Sequence, residues 1–233
     1  AGTREETVRT WDAAAGRVVA RRRIVFDDLV LHEAEVPAPA DEETARLLLE
    51  AASADPSSVL ALAGPEERIR ARAAFLRRAM PELELPPLDD DALRSLLVDL
   101  VPGRRRLSEL RAVPLEPLLR ARLGARALHL LDLHAPATLP VPTGRDLPLD
   151  YGGDGPPVLA VKLQELFGLS ESPRVADGRI PVLLHLLSPA GRPVQVTSAL
   201  ASFWSRTYPE VRKELRGRYP KHPWPEDPRS APP

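Results

Sequence analysis

Apolar and polar positions alternate at the start of the chain and then change period, and that change predicts how the chain is organised. Thr7–Trp11 alternates with period two, residues 12–16 read as a turn, and Arg17–Phe26 and Leu29–Val36 follow as two further strands of a β-meander. Arg21, Arg22 and Arg23 break the apolar alternation of the second strand, which places it at a sheet edge or along a basic surface. Three strands are too few for an independent sheet domain. Residues 1–40 therefore read as the end of a sheet or barrel whose earlier strands precede this sequence.

Pro37-Ala-Pro39 marks a linker, and beyond it the pattern turns helical across residues 41–135. Asp41–Ala52 has apolar residues near helical period. After Gly64-Pro65, Ile69, Ala73, Leu76 and Met80 recur at i, i+4, i+7 and i+11, the stripe of one helix face. Asp89–Leu100, Leu115–Leu123 and Ala125–Leu133 predict further helices, separated by Gly103, Pro114 and Gly124. From residue 136 the texture changes again. Leu147–Tyr151 predicts a strand and residues 152–157 a loop, while Val158–Phe167 predicts an apolar helix closed by Gly168 in the C-cap manner. Ile180–Leu187 and Pro193–Thr197 flank a hairpin turn at Ser188–Gly191. Terminal helices follow. The Pro-rich end, 223–233, reads as a frayed tail, disordered over 229–233.

Composition adjusts this picture in two ways. The 27 prolines exceed the usual share of about 5% and are spread along the chain, so they punctuate short elements. With aromatics at 4%, the cores must be filled mainly by Leu, Val and Ala. The absence of cysteine excludes disulfides and thiolate metal sites and suits a reducing, cytoplasmic compartment. No run of about 18 apolar residues predicts a membrane span. The chain begins Ala-Gly-Thr-Arg, without Met or a signal pattern, and reads as a piece of something longer. Charge is uneven: residues 41–101 carry a net −6, residues 102–135 a net +4 and residues 201–233 a net +3.

Residues 203–224 hold five of the ten aromatics, interleaved with Arg206, Arg212, Lys213, Arg216, Arg218 and Lys221. Phosphates pair with such cations and bases stack on such rings. Packing offers a rival account. Leu200, Trp204, Tyr208, Val211, Leu215 and Tyr219 fall within one arc of about 100°, the width of a buried stripe. Arg206, Arg212, Lys213 and Arg216 gather on one flank of that helix, with Glu210 and Glu214 on the other. Pro209 predicts a break, one helix ending near Arg206 and a second opening at Tyr208 with Thr207 as N-cap and Glu210 completing a capping box.

Other motifs predict less. The loop at 152–155 lacks the Gly-x-x-x-x-Gly-Lys-Ser/Thr pattern of a phosphate loop, and Asp154 would repel phosphate. His129, Asp132 and His134 do not share a helix face, so they predict no zinc site. His185, in an apolar strand, reads as a hydrogen-bonded core residue. No Gly-x-Ser-x-Gly and no carboxylate pair points to hydrolysis. Arg104-Arg-Arg106 is a second basic patch that reads as solvated.

Residues 138–228 resemble the C-terminal domain of the HrpB family of bacterial DEAH-box ATP-dependent helicases. The likeness lies in residues 156–168, residues 181–197 and the run Leu200–Pro228, which contains Tyr208-Pro-Glu-Val-Arg-Lys-Glu-Leu-Arg-Gly-Arg-Tyr-Pro-Lys-His-Pro-Trp-Pro-Glu-Asp-Pro228. Residues 7–135 resemble the preceding part of such helicases more loosely, the meander being similar to strands of their OB-like region. The resemblance implies an α+β fold. Residues 1–40 would be the end of an OB-like β-region, 41–135 a helical region, and 136–228 a small α/β C-terminal domain with a hairpin and terminal helices. It also implies a parent that remodels RNA with ATP and magnesium in two RecA-like domains. No phosphate loop and no Asp-Glu-x-His box occurs in this sequence, so the chain alone is expected to hydrolyse no ATP and to hold no cofactor.

The expected role is an accessory one, binding and positioning RNA or other single-stranded nucleic acid beside the helicase core domains of the same parent. Arg212, Lys213, Arg216, Arg218 and Lys221 would take phosphates, with Tyr219 and Trp224 as stacking rings. Arg21, Arg22 and Arg23 would extend the basic track from the OB-like side. The alternative is a protein-interaction module without nucleic-acid contact.

Overall fold

The computed structural model describes residues 2–232 as an α+β fold in two compact units. The first comprises the residues up to Glu66 together with Pro87–Leu119. The second comprises Glu67–Pro86 and the residues from Arg120 onward. The helical residues 41–135 are thus shared between both units.

The first unit opens with an antiparallel meander of β1 (Thr3–Asp12), β2 (Arg17–Phe26) and β3 (Leu29–Val36), ordered β1-β2-β3. The Arg21–Arg23 strand is therefore central, not an edge. It can be central because each arginine has a cross-strand glutamate in reach, Glu33 serving two of them: Arg22 pairs with Glu5 at 3.3 Å, Arg23 with Glu33 at 2.5 Å and Arg21 with Glu33 at 3.7 Å. Val18, Val19 and Ala20 bury the near end of β2 under α1 (Glu42–Ser53), which also packs on α4 (Asp90–Leu100). Between them lies the short α2 (Pro56–Val59). Each of these helices starts at an aspartate whose carboxylate accepts a first-turn N–H: Asp41 from Thr44, Asp55 from Ser58 and Asp89 from Ala92, all at 3.0 Å. α5 (Leu107–Arg111) completes the unit with the first residues of α6 (Leu115–His134).

The second unit contains nearly all of α3 (Pro65–Ala79), whose predicted stripe Ile69, Ala73, Leu76 and Met80 is buried. α6 is broken at Gly124 (φ 75°, ψ 166°), the glycine that separated the two predicted helices. A small hairpin of β4 (Thr138–Pro140) and β5 (Asp146–Pro148) follows. The predicted helix over Val158–Phe167 is instead β6 (Val158–Lys162) running into a 3₁₀ turn at Leu163–Leu166. Leu159 and Val161 alternate into the core, and the backbone of β6 is satisfied by a parallel partner 25 residues away, Val158 opposite Leu183. β7 (Arg174–Val175) and β8 (Ile180–Pro181) form a second small ladder. β9 (Leu183–Leu187) and β10 (Pro193–Thr197) complete a mixed sheet ordered β10-β9-β6, their turn closed by Gly191 N–H to Ser188 O at 2.9 Å.

The final helix is continuous across Pro209, contrary to the predicted break. α7 (Leu200–Ser202) passes through a π-helical turn over Phe203–Thr207 into α8 (Tyr208–Arg218). The Tyr208 amide reaches back five residues to Phe203 O, and the wider turn accommodates a residue with no N–H. Thr207 is helical and caps nothing with its side chain. Residues 223–228 do not fray either. Tyr208 Oη donates to Pro225 O at 3.0 Å, and Gly168 N donates to Pro228 O at 2.8 Å.

Candidate nucleic-acid interface

The aromatic residues of the terminal helix form the floor of the site. Phe167, Phe203, Trp204 and Tyr208 are buried together, Trp204 and Tyr208 meeting edge to face at 5.2 Å and Phe167 lying 6.2 Å from Trp204. Such pairs contribute about 0.5–1.5 kcal/mol each beyond burial. Trp204 Nε1 donates to Leu169 O at 2.7 Å, so the ring has a polar anchor. Burial pushes the Tyr208 hydroxyl up to about 12, with Arg212 pulling the other way. These rings belong to the core and are not offered to a ligand.

On this floor α8 turns its charged side outward. At about 100° per residue, Arg212, Arg216 and Lys213 follow one another along one flank. Lys213 and Arg216 are exposed, as is Lys221 in the turn after the helix. Among the described residues none of these three has a carboxylate partner. Tyr219 ends the helix half-exposed, its ring edge-to-face with His222 at 6.3 Å. Arg206, also exposed, lies in the π-helical turn. The grouping of Arg206 with the basic flank assumed an unbroken period of 3.6, and the π-helical turn changes the phase between it and α8.

Other predicted site residues have different tasks. Arg212 is only 24% exposed in its side chain; its Nε donates to Trp224 O at 2.8 Å and its Nη2 meets Glu226 at 3.3 Å. It straps the returning chain to the helix. Trp224 is 8% exposed and donates from Nε1 to Tyr219 O at 2.9 Å, so it is a packed ring, not a stacking platform. Its position beyond the helix end suggested exposure only because the return of the chain is a tertiary feature. Arg218 pairs with Glu214 one turn back at 3.4 Å, with both groups exposed and the pair correspondingly weak. Arg21, Arg22 and Arg23 belong to the other unit and are paired as described.

A cavity of about 480 Å³ lies elsewhere in the second unit, lined by Arg68 and Arg72 of α3, by Asp150 and Tyr151, and by His185 of β9. His185 is thus half-buried on a cavity wall, not in the core. Arg72 is buried but satisfied, donating to Ala135 O at 2.6 Å and to Asp132 at 2.7 Å. Burial raises the Tyr151 hydroxyl, whose proton goes to Pro136 O at 2.8 Å. Glu67 and Asp150 in the same lining offset the two arginines, so this cavity lacks the one-sided charge that attracts phosphate.

Residues 96–228 match the family model HrpB_C, described as ATP-dependent helicase C-terminal. The chain is similar to the ATP-dependent RNA helicase HrpB of Escherichia coli (strain K12), with 37% identity over 227 residues, covering 96% of this chain and 28% of that protein. Its fold matches a crystal structure of the E. coli DExH-box NTPase HrpB with a TM-score of 0.76 and 35% identity, over 99% of this chain and 29% of that one. A crystal structure of the Escherichia coli DEAH/RHA helicase HrpB matches with a TM-score of 0.67 and 34% identity, over 95% of this chain and 29% of the other. The chain therefore spans less than a third of the length of these relatives.

Proposed function

The chain belongs to the HrpB-type ATP-dependent helicase C-terminal family, and from that premise we propose that it binds and positions single-stranded RNA beside a helicase core. The observation that carries this reading is the exposed set Lys213 and Arg216 of α8 and Lys221 of the turn that follows, without carboxylate partners among the described residues, on a helix locked by four buried rings. Phosphodiesters supply the missing counter-charge. Tyr219, half-exposed at the end of the row, supplies a ring on which one base can stack. In this proposal ATP and magnesium act in helicase-core domains of the parent, the meander is the end of an OB-like region, and the protein works in the cytoplasm. Titrating a labelled single-stranded RNA with the chain tests it. Binding should weaken log-linearly with salt. No salt-dependent binding would sink the nucleic-acid reading.

A second reading rests on a different observation. The far end of the meander exposes Ile24, Phe26, Leu29, Val30 and Leu31, with Leu29 at 64%. An apolar patch of this kind favours docking on protein. As a protein-interaction module, the chain would use this end against the core domains and would bind RNA no better with its basic row intact than without it.

A further inference from the structure

Of Arg104-Arg-Arg106, a solvated triplet on sequence grounds, Arg104 turns back to the Leu100 carbonyl, while Arg105 and Arg106 line a cleft of the first unit together with Arg17 of the meander. The turn before β2 ends at Gly16 (φ 59°), whose carbonyl accepts the Leu107 amide at 3.0 Å. Val18 N–H donates to Arg105 O at 2.8 Å, and an antiparallel bridge sets Arg17 directly opposite Arg106. Like charges facing each other across such a pair repel and destabilise it. The fold nonetheless adds a third guanidinium: Arg105 lines the same cleft of about 400 Å³, inside the range of roughly 300–1,000 Å³ that small ligands occupy.

Two carboxylates lie close by. Glu35 pairs with Arg17 at 2.9 Å. Glu109 accepts the backbone amides of Arg105 at 2.7 Å and Arg106 at 3.1 Å, which ties it to main chain. Arg105 Nε donates to Ala38 O at 2.5 Å, leaving its terminal nitrogens. The Arg106 side chain is exposed and has no carboxylate partner among the described residues. The lining of the cleft thus holds three cations and one carboxylate, Glu35.

We propose that this cleft is a phosphate-binding site, with Arg106 and the free nitrogens of Arg105 forking a phosphate and Arg17 completing the positive wall. Planar guanidiniums favour two-point contact with phosphate oxygens over a single charge contact. The phosphate comes from the backbone of a single-stranded RNA or from a free phosphate group. Only the RNA source rests on the function proposed above.

Two probes of the full chain separate the sources. Inorganic phosphate should raise the thermal midpoint of the wild type, and this rise should be absent in Arg106→Gln. A labelled single-stranded RNA should bind Arg106→Gln more weakly, with the salt slope shallower by about 0.7 for the one lost contact. Arg106→Lys should keep most of the slope while losing affinity, because it retains charge but not the fork. A phosphate-dependent midpoint without RNA binding supports the site and overturns its RNA source alone. Identical responses of wild type and Arg106→Gln to both probes would overturn the site.

Discussion

On β2, each of Arg21, Arg22 and Arg23 has a glutamate on a neighbouring strand within 2.5–3.7 Å, whereas on α8 Lys213 and Arg216 stand exposed with no such partner among the described residues. Both segments look basic in the sequence. The difference lies in what the backbone places opposite them. A strand offers each side chain cross-strand neighbours from distant sequence, so Glu5 and Glu33 offset two of the three charges that a local count leaves open. A helix with one face buried offers its outward side chains mainly its own i±3 and i±4 positions: α8 uses Glu214 on Arg218, the returning chain brings Glu226 to Arg212, and Lys213 and Arg216 keep their charge.

The largest effect should come from removing the floor that holds the helix. Trp204→Ala would empty a buried ring site and orphan Leu169 O, at a cost of about 3–5 kcal/mol in urea unfolding. RNA affinity would fall with it, whereas Trp11→Ala in the meander should leave the basic row intact. Next is the strap. Arg212→Ala leaves the Trp224 carbonyl without its donor and should cost about 1–3 kcal/mol. Hydrogen exchange at the Gly168 amide, bonded to Pro228 O, would then accelerate. That outcome separates Arg212, a residue that holds structure, from Arg216, whose loss should affect binding without loosening the chain.

On the meander side the expected effects are smaller. Replacing Arg21, Arg22 and Arg23 together with Gln should cost about 0.2–1 kcal/mol per pair and change RNA affinity little. A marked drop in affinity would erase the contrast between the two regions. Smallest of all is a pH effect at Asp41. The Thr44 amide first, and then Arg9, holds its carboxylate below the ordinary value of 3.8. Because the folded value is the lower one, its contribution to stability is present above about pH 4 and is lost as pH falls further. Asp41→Asn should flatten the acid limb of the unfolding curve, measured as midpoint against pH.

How much of this was legible depended on whether the deciding partner was local. The stripe Ile69, Ala73, Leu76 and Met80 and the break at Gly124 are local, and the periodicity and the glycine revealed both. Val158–Phe167 misled because an apolar run that short suits a buried strand or a helix equally, and its parallel partner β9 begins beyond Val182. Pro209 suggested a break because a π-helical turn leaves little trace in a pattern of period 3.6. In the site, the exposed flank of Lys213 and Arg216 followed from helical spacing, while the fates of Trp224 and of Arg21–Arg23 depended on chain returns and cross-strand pairing. Arg17 beside Arg106 was invisible for the same reason.

The central claim is that the unmatched cations of the terminal helix and of the turn after it contact phosphates. The salt dependence of single-stranded RNA binding tests it most directly, compared between wild type and the triple variant Lys213→Gln, Arg216→Gln, Lys221→Gln. The log–log slope should become shallower by about 0.7 for each lost contact, roughly two in total. An unchanged slope in a folded variant would contradict the claim.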